Sequence, residues 1–336
     1  MESQRVAELV SVAVPAYNNE KTIVECVQSL VKQEYRPVEI LVVDDGSTDG
    51  TAQRVVELIR EFRNVRLIRI DHSGPSHARN VGVRQSAGGY LLFADGDAVY
   101  HPDYLAEGIR VMTEDRKIGA VCMMGTIWLR KSTFVSRGIA LEFEIKQRFL
   151  RSGKWRPYFA FFYRREAVEK VGGFDEELFQ SEDKDLFHRV KSAGYSIGLV
   201  DDFTWSHLYP QDLRSLAARS YRGGRQRVVY IFKKRMYGEL LRRTAGLWCL
   251  GLLIVLSALS LPAALLTAGI LVASYSYKAY FTLRNAWGGT GRLVDMLLFP
   301  VVSAVRYLSG AVGYSKGTAV YVLRQMAGKK TTWSDV

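Results

Sequence analysis

The sequence predicts an α/β fold, a mostly parallel sheet flanked by helices, followed by an α-helical and apolar C-terminal region. Residues 1 to about 125 alternate short β-branched runs with amphipathic stretches, a pattern typical of βαβ units. Further along, a long segment without charged residues marks a change in composition. With 336 residues and 48% hydrophobic content, the chain can bury a sizeable core.

Four apolar runs are the predicted strands: LVSVAV, VEILVV, VRLIRI and YLLFA. Between them, KTIVECVQSLVKQ and TAQRVVELIREF each place apolar residues on one helical face. The following segment contains the helical pattern STFVSRGIALEFEIKQRFL, and no linker rich in proline or serine separates it from the first part. We therefore expect a single domain over residues 1–230.

The segment from Gly246 to Tyr275 has no charged residue, and its thirty residues exceed the roughly 20 that span a bilayer as a helix. We expect a transmembrane helix here, which Pro262 can kink or break, and a buried helical hairpin is the alternative. A second apolar stretch, LVDMLLFPVVSAVRYLSGAVGY, carries Asp295 and Arg306 and is either a second span or an interfacial helix. The predicted membrane region is thus residues 246–336, with one or two spans.

Residues 231–245 form a predicted basic juxtamembrane helix containing Lys233, Lys234, Arg235, Arg242 and Arg243. By the positive-inside rule, these residues place the large domain in the cytoplasm at the cell membrane. A lipid surface therefore accounts for much of the net charge of +12, and a nucleic-acid partner is not expected. The three cysteines are far apart, so their spacing indicates neither a disulfide framework nor a zinc site.

Polar residues, most of them acidic, follow all four predicted strands. They are Pro15 to Glu20, Asp44 to Ser47, Asp71 to Gly74, and Asp95 to Asp97. Because ligands of an open parallel sheet bind at the carboxyl ends of its strands, these loops predict one site. Carboxylates in a basic protein suit a divalent cation, Mn²⁺ or Mg²⁺, that bridges a diphosphate. Neither a dinucleotide-binding GxGxxG loop nor a P-loop is present.

Five blocks in order, VSVAVPAYNNEKTI, VEILVVDDGSTDGT, GPSHARNVGV, FADGD and GGFDEELFQSEDKDL, resemble those of the inverting glycosyltransferase family 2. The resemblance covers residues 10 to 230 and implies the GT-A fold and a nucleotide-diphospho-sugar donor. It further implies that these residues line the nucleoside pocket: Pro15, Ala16, Tyr17, Glu20 and Asp45.

The resemblance also implies that Arg79 approaches the donor diphosphate and that Asp95 and Asp97 form the element that holds the ribose and the metal. Glu182 and Asp183 match the acidic pair of the family, in which Asp183 is the general base. Because acids also favour the N-terminus of a helix, a purely structural role for this pair stays open.

Three further residues are candidates for the site. His207, in WSHLYP, lies where some GT-A enzymes place another metal or phosphate ligand, although a lone histidine is more often structural. Arg222 and Arg225, in RSYRGGRQR, can meet the donor diphosphate or a lipid phosphate. The segment lacks the tryptophan of the QxxRW element found in processive members, which argues against a polymerising synthase.

The expected reaction is a single displacement with inversion, in which Asp183 removes the proton of an acceptor hydroxyl, on a saccharide or lipid-linked saccharide. Transfer to a polyprenyl phosphate is the alternative, although its enzymes typically read like DADLQ where this chain reads DGDAVYHPDYL. Two other classes are a nucleotidyltransferase, whose glycine-rich phosphate loop is missing, and a catalytically inactive membrane scaffold that binds nucleotide sugars.

Overall fold

The structure is a computed structural model that describes residues 8–123, 126–127, 132–152, 160–200, 204–207, 209–259, 261–286, 293–332 and 334–336. Its contacts divide the chain into two compact units, residues 1–130 with 156–208 and residues 131–155 with 209–336. The predicted limits at residues 230 and 245 fall inside helices of the second unit, and the three-part division of the chain stays a prediction.

The first unit begins with alternating strands and helices, as the sequence predicts. They are β1 (Val10–Ala16), α1 (Ile23–Val31), β2 (Val38–Asp45), α2 (Thr51–Glu61), β3 (Val65–Ile70), α3 (Pro75–Gln85) and β4 (Tyr90–Phe93). The remainder is β5 (Ala98–Tyr100), α4 (Tyr104–Glu114), β6 (Ile118–Met123), β7 (Thr126–Ile127), β8 (Phe162–Arg164), α6 (Arg165–Lys170), α7 (Glu182–Ser192), β9 (Ser196–Val200) and β10 (Thr204–His207). Helix α5 (Phe134–Arg151) belongs to the second unit.

Seven strands form a mixed sheet in the order β3-β2-β1-β4-β8-β6-β9. Strands β1 to β4 are mutually parallel, and β8 is antiparallel to both of its neighbours. Since β1 lies between β2 and β4, the loops after these strands meet at one edge. A smaller sheet in the order β5-β10-β7 begins immediately after that edge.

Both faces of the large sheet are buried, which explains why its central strands are nearly continuous apolar runs. Side chains alternate between two cores along each strand: Val12 and Val14 belong to one core and Ala13 to the other. The first core also contains residues of α1, α2 and α4, and the second contains residues of α3, α6 and α7. The strands and helices predicted for residues 9–94 are therefore confirmed, with both faces covered.

The second unit is helical. Its helices are α5 (Phe134–Arg151), α8 (Leu213–Lys233), α9 (Tyr237–Leu259), α10 (Leu261–Ala286) and α11 (Leu293–Met326). Within the apolar segment 246–275, the structure describes α9 as far as Leu259 and α10 from Leu261, next to Pro262. Of the described residues, only α11 forms a helix long and apolar enough to cross a membrane by length and composition.

Candidate active site

The loops after β1 and β2 are joined to each other by hydrogen bonds. The Asn18 and Asn19 N–H groups donate to Ser47 Oγ and Thr51 Oγ1 at 3.0 and 2.8 Å. Glu20 accepts from the Gly50 N–H at 3.3 Å through its side chain. Both loops are therefore fixed to each other by hydrogen bonds between side chains and backbone rather than by apolar packing.

Asp45 is buried at the end of β2, where its carboxylate holds the loop after β3. Its two oxygens accept from the Ser73 and Gly74 N–H groups at 2.7 and 2.9 Å. His72 Nδ1 lies 2.9 Å from the same carboxylate, and the His72 ring stacks on Tyr17 with the ring centres 4.1 Å apart. Tyr17 is exposed, so this stack presents an aromatic surface beside a buried acid.

The predicted nucleoside residues are thus brought to one edge, although they differ in what they expose. Ala16 is buried in the core, so only its backbone can face a ligand, and Pro15 is half-buried. Tyr17 presents its ring, whereas the Glu20 and Asp45 carboxylates already accept from backbone N–H groups. Their contacts with a nucleoside stay a prediction.

Asp95 and Asp97 follow β4 in a tight loop directly above the end of β1. A Cβ atom on Gly96 would lie 3.3 Å from the Pro15 carbonyl oxygen, so a side chain there would crowd the loop against β1. The Thr22 hydroxyl donates to the Gly96 carbonyl at 2.9 Å, and the Asp95 N–H donates to the Tyr100 hydroxyl at 2.8 Å. The paired acids are therefore held from both sides.

A buried thiol lies beneath these two acids. Cys26 Sγ is 3.4 Å from the Asp95 carbonyl oxygen. Burial raises the pKa of the Cys26 thiol well above its usual range, and the negative charges of Asp97 and Asp95 raise it further. The thiol is consequently neutral and unreactive, and it serves as packing for the loop.

Arg79 joins the acids that follow β4 to those at the start of α7. Its Nη2 lies 3.2 Å from Asp95 Oδ1, and its Nη1 lies 2.6 Å from Glu182 Oε1. The guanidinium is buried, it lies 5.5 Å from the centre of the Phe174 ring, and its Nε has no hydrogen-bond partner among the described residues. A single cation thus links carboxylates that are 87 residues apart in sequence, from position 95 to position 182.

Glu182 and Asp183 begin α7, and Ser181 before them has a left-handed backbone (φ 68°). Burial raises the pKa of Glu182 to about 7; the Arg79 guanidinium opposes this shift, and the Asp183 charge adds to it. Asp183 is half-buried, with Oδ1 accepting from the Lys184 N–H at 2.8 Å. The pair therefore combines an enclosed acid with a more accessible one.

The loop that leads to this pair is clamped by α3. Asn80 donates to the Phe174 carbonyl at 2.9 Å and accepts from the Phe174 N–H at 2.8 Å, so that its amide pairs with both backbone groups of one residue. His77 Nδ1 lies 2.8 Å from Glu176 Oε2, and the Ser76 hydroxyl donates to the Leu178 carbonyl. Helix α3 therefore positions the whole segment before Glu182.

Sequence reasoning selected only Arg79 from the block SHARN and missed its neighbours. Ser76, Arg79 and Asn80 stand three and four residues apart, a spacing that places them on one helical face. That spacing was the available signal for a polar contact surface. His72 and Tyr100 carried no such signal, because their partners Tyr17 and Asp95 come close only in the folded chain.

Three predicted residues are not brought into this group by a described contact. The backbone of His207 pairs with Ala98, next to Asp97, but its side chain lies outside the described residues. Arg222 is exposed on α8, and Arg225 lies over the ring of Tyr221 in the same helix, 5.8 Å from its centre. Both arginines belong to the second compact unit, and their role in donor binding stays a prediction.

Comparison with known proteins gives one family. A sequence profile described as "Glycosyl transferase family 2" matches residues 11–172. "Glycosyltransferase AglE" of Haloferax volcanii is 30% identical over 208 residues, which is 59% of this chain and 66% of that protein. "Uncharacterized glycosyltransferase EpsJ" of Bacillus subtilis is 29% identical over 228 residues, 64% of each chain. The chain thus matches about two thirds of the length of each of these curated relatives.

A solved structure shows the same fold. The mannosyltransferase PcManGT from Pyrobaculum calidifontis, solved in complex with GDP-Man and Mn²⁺, superposes with a TM-score of 0.63 at 24% identity and covers 90% of this chain and 88% of its own. The predicted fold class is therefore confirmed. Residues 11–172 of the chain thus match glycosyltransferase family 2, and the chain has the GT-A fold and a long apolar helix in its C-terminal part.

Proposed function

We propose that this glycosyltransferase transfers a sugar, with inversion, from a nucleotide-diphospho-sugar to the hydroxyl group of a saccharide or a lipid-linked saccharide. The observation that carries the proposal is the position of Arg79, which links Asp95 to Glu182 and so places two separate acidic segments in one site. A structural protein would gain little from this arrangement, because enclosing charges usually costs free energy.

The acids Asp95 and Asp97 fit a divalent cation, Mn²⁺ or Mg²⁺, since both cations prefer hard oxygen ligands. Among the described residues no group of three or more metal-ligating side chains converges, so the donor phosphates and water would supply the remaining ligands. When bound, the cation would neutralise the negative charge of the departing nucleoside diphosphate. His207 is the further candidate ligand.

Asp183 is the proposed general base. It is more accessible than Glu182, and a carboxylate can accept the proton because the proton moves as the new bond forms. Glu182, enclosed beside Arg79, fixes the start of α7 and balances the arginine charge. The stacked rings of Tyr17 and His72 offer a flat surface for the nucleoside base.

The proposed location is the cell membrane, with the first unit in the cytoplasm. Support comes from the apolar helices of the second unit and from the basic residues that precede them, of which Lys234, Arg235 and Arg242 are exposed. Anionic lipids attract such residues by about 1 kcal/mol each.

The first experiment identifies the donor. Thermal unfolding of the purified full-length chain is measured with UDP-, GDP- and dTDP-sugars, each with and without Mn²⁺. GDP-mannose is the first to test, because the structural relative was solved with it. We expect one nucleotide family to raise the unfolding temperature only with the cation.

The second experiment tests the chemistry with the substitutions Asp97→Ala and Asp183→Asn. We expect each to lower sugar transfer by roughly 10²- to 10⁴-fold, the usual contribution of a positioned acid or base, without lowering the unfolding temperature. Glu166→Gln is the control, because that side chain is 67% exposed. Near wild-type transfer by Asp183→Asn would instead indicate an acceptor that is already anionic, such as a polyprenyl phosphate.

A further inference from the structure

The apolar segment 246–275 folds back on itself. Two hydrogen bonds to α11 show this: the Tyr275 hydroxyl donates to the Leu297 carbonyl at 2.8 Å, and the Tyr307 hydroxyl donates to the Arg242 carbonyl at 3.4 Å. Ten residues of helix α11 separate these two contacts, a rise of about 15 Å. A continuous helix from 242 to 275 would hold its ends about 50 Å apart, so α9 and α10 must form a hairpin.

Each arm of this hairpin is short. The uncharged part of α9 covers residues 246–259 and that of α10 covers residues 261–275, about 21 and 22 Å of helix at 1.5 Å per residue. The hydrocarbon core of a bilayer is about 30 Å thick and needs roughly 20 residues. Neither uncharged arm reaches across it, whereas either is long enough to enter one leaflet.

Both arms expose apolar side chains, and charged residues lie on either side of the uncharged segment. Val255, Ile270, Leu271 and Val272 are all more than 40% exposed to solvent. Arg242 and Arg243 precede the uncharged segment, and Lys278 and Arg284 follow it. An apolar segment with cations at both ends matches acyl chains beneath anionic headgroups.

Helix α11 has the composition of a membrane span but not its surroundings. Asp295 is buried and accepts from Arg137 Nε of α5 at 2.7 Å, and Arg306 pairs with Glu142 of α5. Charged side chains paired in this way keep the first half of α11 against a polar helix. Lipid cannot surround it there.

The second half of α11 is held even more closely, by α8. A Cβ atom on Gly313 would lie 2.1 Å from the Tyr221 carbonyl oxygen, and one on Gly317 would lie 2.7 Å from that of Arg225. The two backbones are therefore in direct contact along a helix that carries several arginines. Crossing a bilayer would carry α8 with α11 into the hydrocarbon.

We infer that the hairpin 246–275 inserts into one leaflet of an anionic membrane and that the chain enters and leaves on the same side, while α11 stays outside the hydrocarbon core. This deepens the membrane location proposed above, and it rests on the contacts of the second unit alone. The protein is then attached to one face of the membrane rather than threaded through it.

The chain contains a cysteine that can be labelled chemically to test the insertion. Cys249 is exposed on α9, whereas Cys26 and Cys122 are buried. The full-length protein is treated with a membrane-impermeant maleimide in sealed right-side-out and inverted vesicles of the expression host's cytoplasmic membrane. We expect Cys249 to lose its labelling in both orientations and to regain it when detergent dissolves the vesicles. Labelling of Cys249 in intact vesicles would overturn the inference.

Three variants, each with Cys249→Ala and one introduced cysteine besides the buried Cys26 and Cys122, locate the rest of the chain. We expect Gly238→Cys, at an open position before the hairpin, and Lys329→Cys, after α11, to be labelled from the same side. We expect Ser260→Cys, between the two arms, to be labelled from neither side. Labelling of residue 260 from the side opposite to residue 238 would mean that α9 and α10 each span the membrane. Labelling of residue 260 from the same side as residue 238 would mean that the hairpin does not insert. Labelling of residues 238 and 329 from opposite sides would mean that α11 crosses the membrane. Each of these results contradicts the inference.

The outcome does not depend on catalysis, because labelling needs no substrate. A chain that transfers sugar but fails the labelling test would retain the proposed function and lose this inference. Donor-induced thermal stabilisation of each variant checks that its first unit is folded.

Discussion

The acids at the carboxyl edge of the sheet form two groups that are held in different ways. Glu20, Asp45 and Asp49 accept from backbone N–H groups, and we call them the loop-capping acids. Asp95 and Glu182 share the side chain of Arg79, and we call them the arginine-linked acids. The first group fixes loops, whereas the second carries a charge balance that a proton or a ligand can change.

The difference is visible in the direction of the pKa shifts. Desolvation raises the pKa of Asp49. Hydrogen bonds from the Thr51 hydroxyl and from backbone N–H groups outweigh this effect and lower the pKa of Asp49. Burial raises the pKa of Glu182 to about 7. Backbone donors favour the ionised form, whereas enclosure disfavours it. Asp49 therefore stays charged over the physiological pH range, whereas Glu182 changes its charge within that range.

Arg79→Met is the substitution that should lower stability most. Without the cation, the buried Glu182 and the half-buried Asp95 lose their shared partner, and loss of one member of a buried pair costs about 3–5 kcal/mol. We expect a loss of that size in the free energy of unfolding, measured by denaturant titration. Arg84→Met is the matched control on the same helix, because that side chain is 56% exposed, and it should change stability by less than about 0.5 kcal/mol.

A loss below about 1 kcal/mol for Arg79→Met would mean that Asp95 and Glu182 are solvated or paired differently. The distinction between the two groups of acids would then disappear.

The next test is the pH dependence of stability and the variant Glu182→Gln. The pKa of Glu182 in the folded chain is about 7, above its ordinary value of 4.5, so the folded state binds this proton more tightly than the unfolded state. Stability contributed by this group is therefore present below pH 4.5 and lost as the pH rises to about 7. We expect Glu182→Gln to flatten the stability curve over this interval.

Unfolding temperature measured in steps of pH from 4.5 to 7 checks this prediction, with Glu166→Gln as the exposed control. An unchanged slope in Glu182→Gln would show that another group causes the pH dependence.

The smallest expected effect is that of Asp45→Asn, which changes a loop-capping acid. The amide keeps one acceptor oxygen but turns its NH₂ group towards a backbone N–H, and an unsatisfied buried donor costs about 1–3 kcal/mol. We expect a loss in this range in the free energy of unfolding, measured by denaturant titration. Asp71→Asn, an exposed acid of the next loop, is the control. A loss as large as that of Arg79→Met would remove the contrast between the two groups of acids.

Much of the fold was predictable, because the strands and helices of residues 9–94 follow from local periodicity. Val12 and Val14 alternate with Ala13, and the helices repeat their apolar residues every three or four positions. Asp95, Asp97 and Glu182 could be selected because their motifs are short and contiguous, and their roles stay predictions. The hairpin of α9 and α10 was less predictable, since composition reveals an apolar segment but not the direction of the chain after Pro262.

The ends of the strands and the acids that follow them can be read from the sequence, because these features depend on neighbouring residues. Three contacts depend on the folded chain: Arg79 joins Asp95 to Glu182, Asn80 pairs with Phe174, and His72 stacks on Tyr17. Each of these contacts joins residues far apart in the chain, and many residues of suitable chemistry compete for such positions. Which of them meet depends on the order of strands in the sheet, which local patterns do not encode.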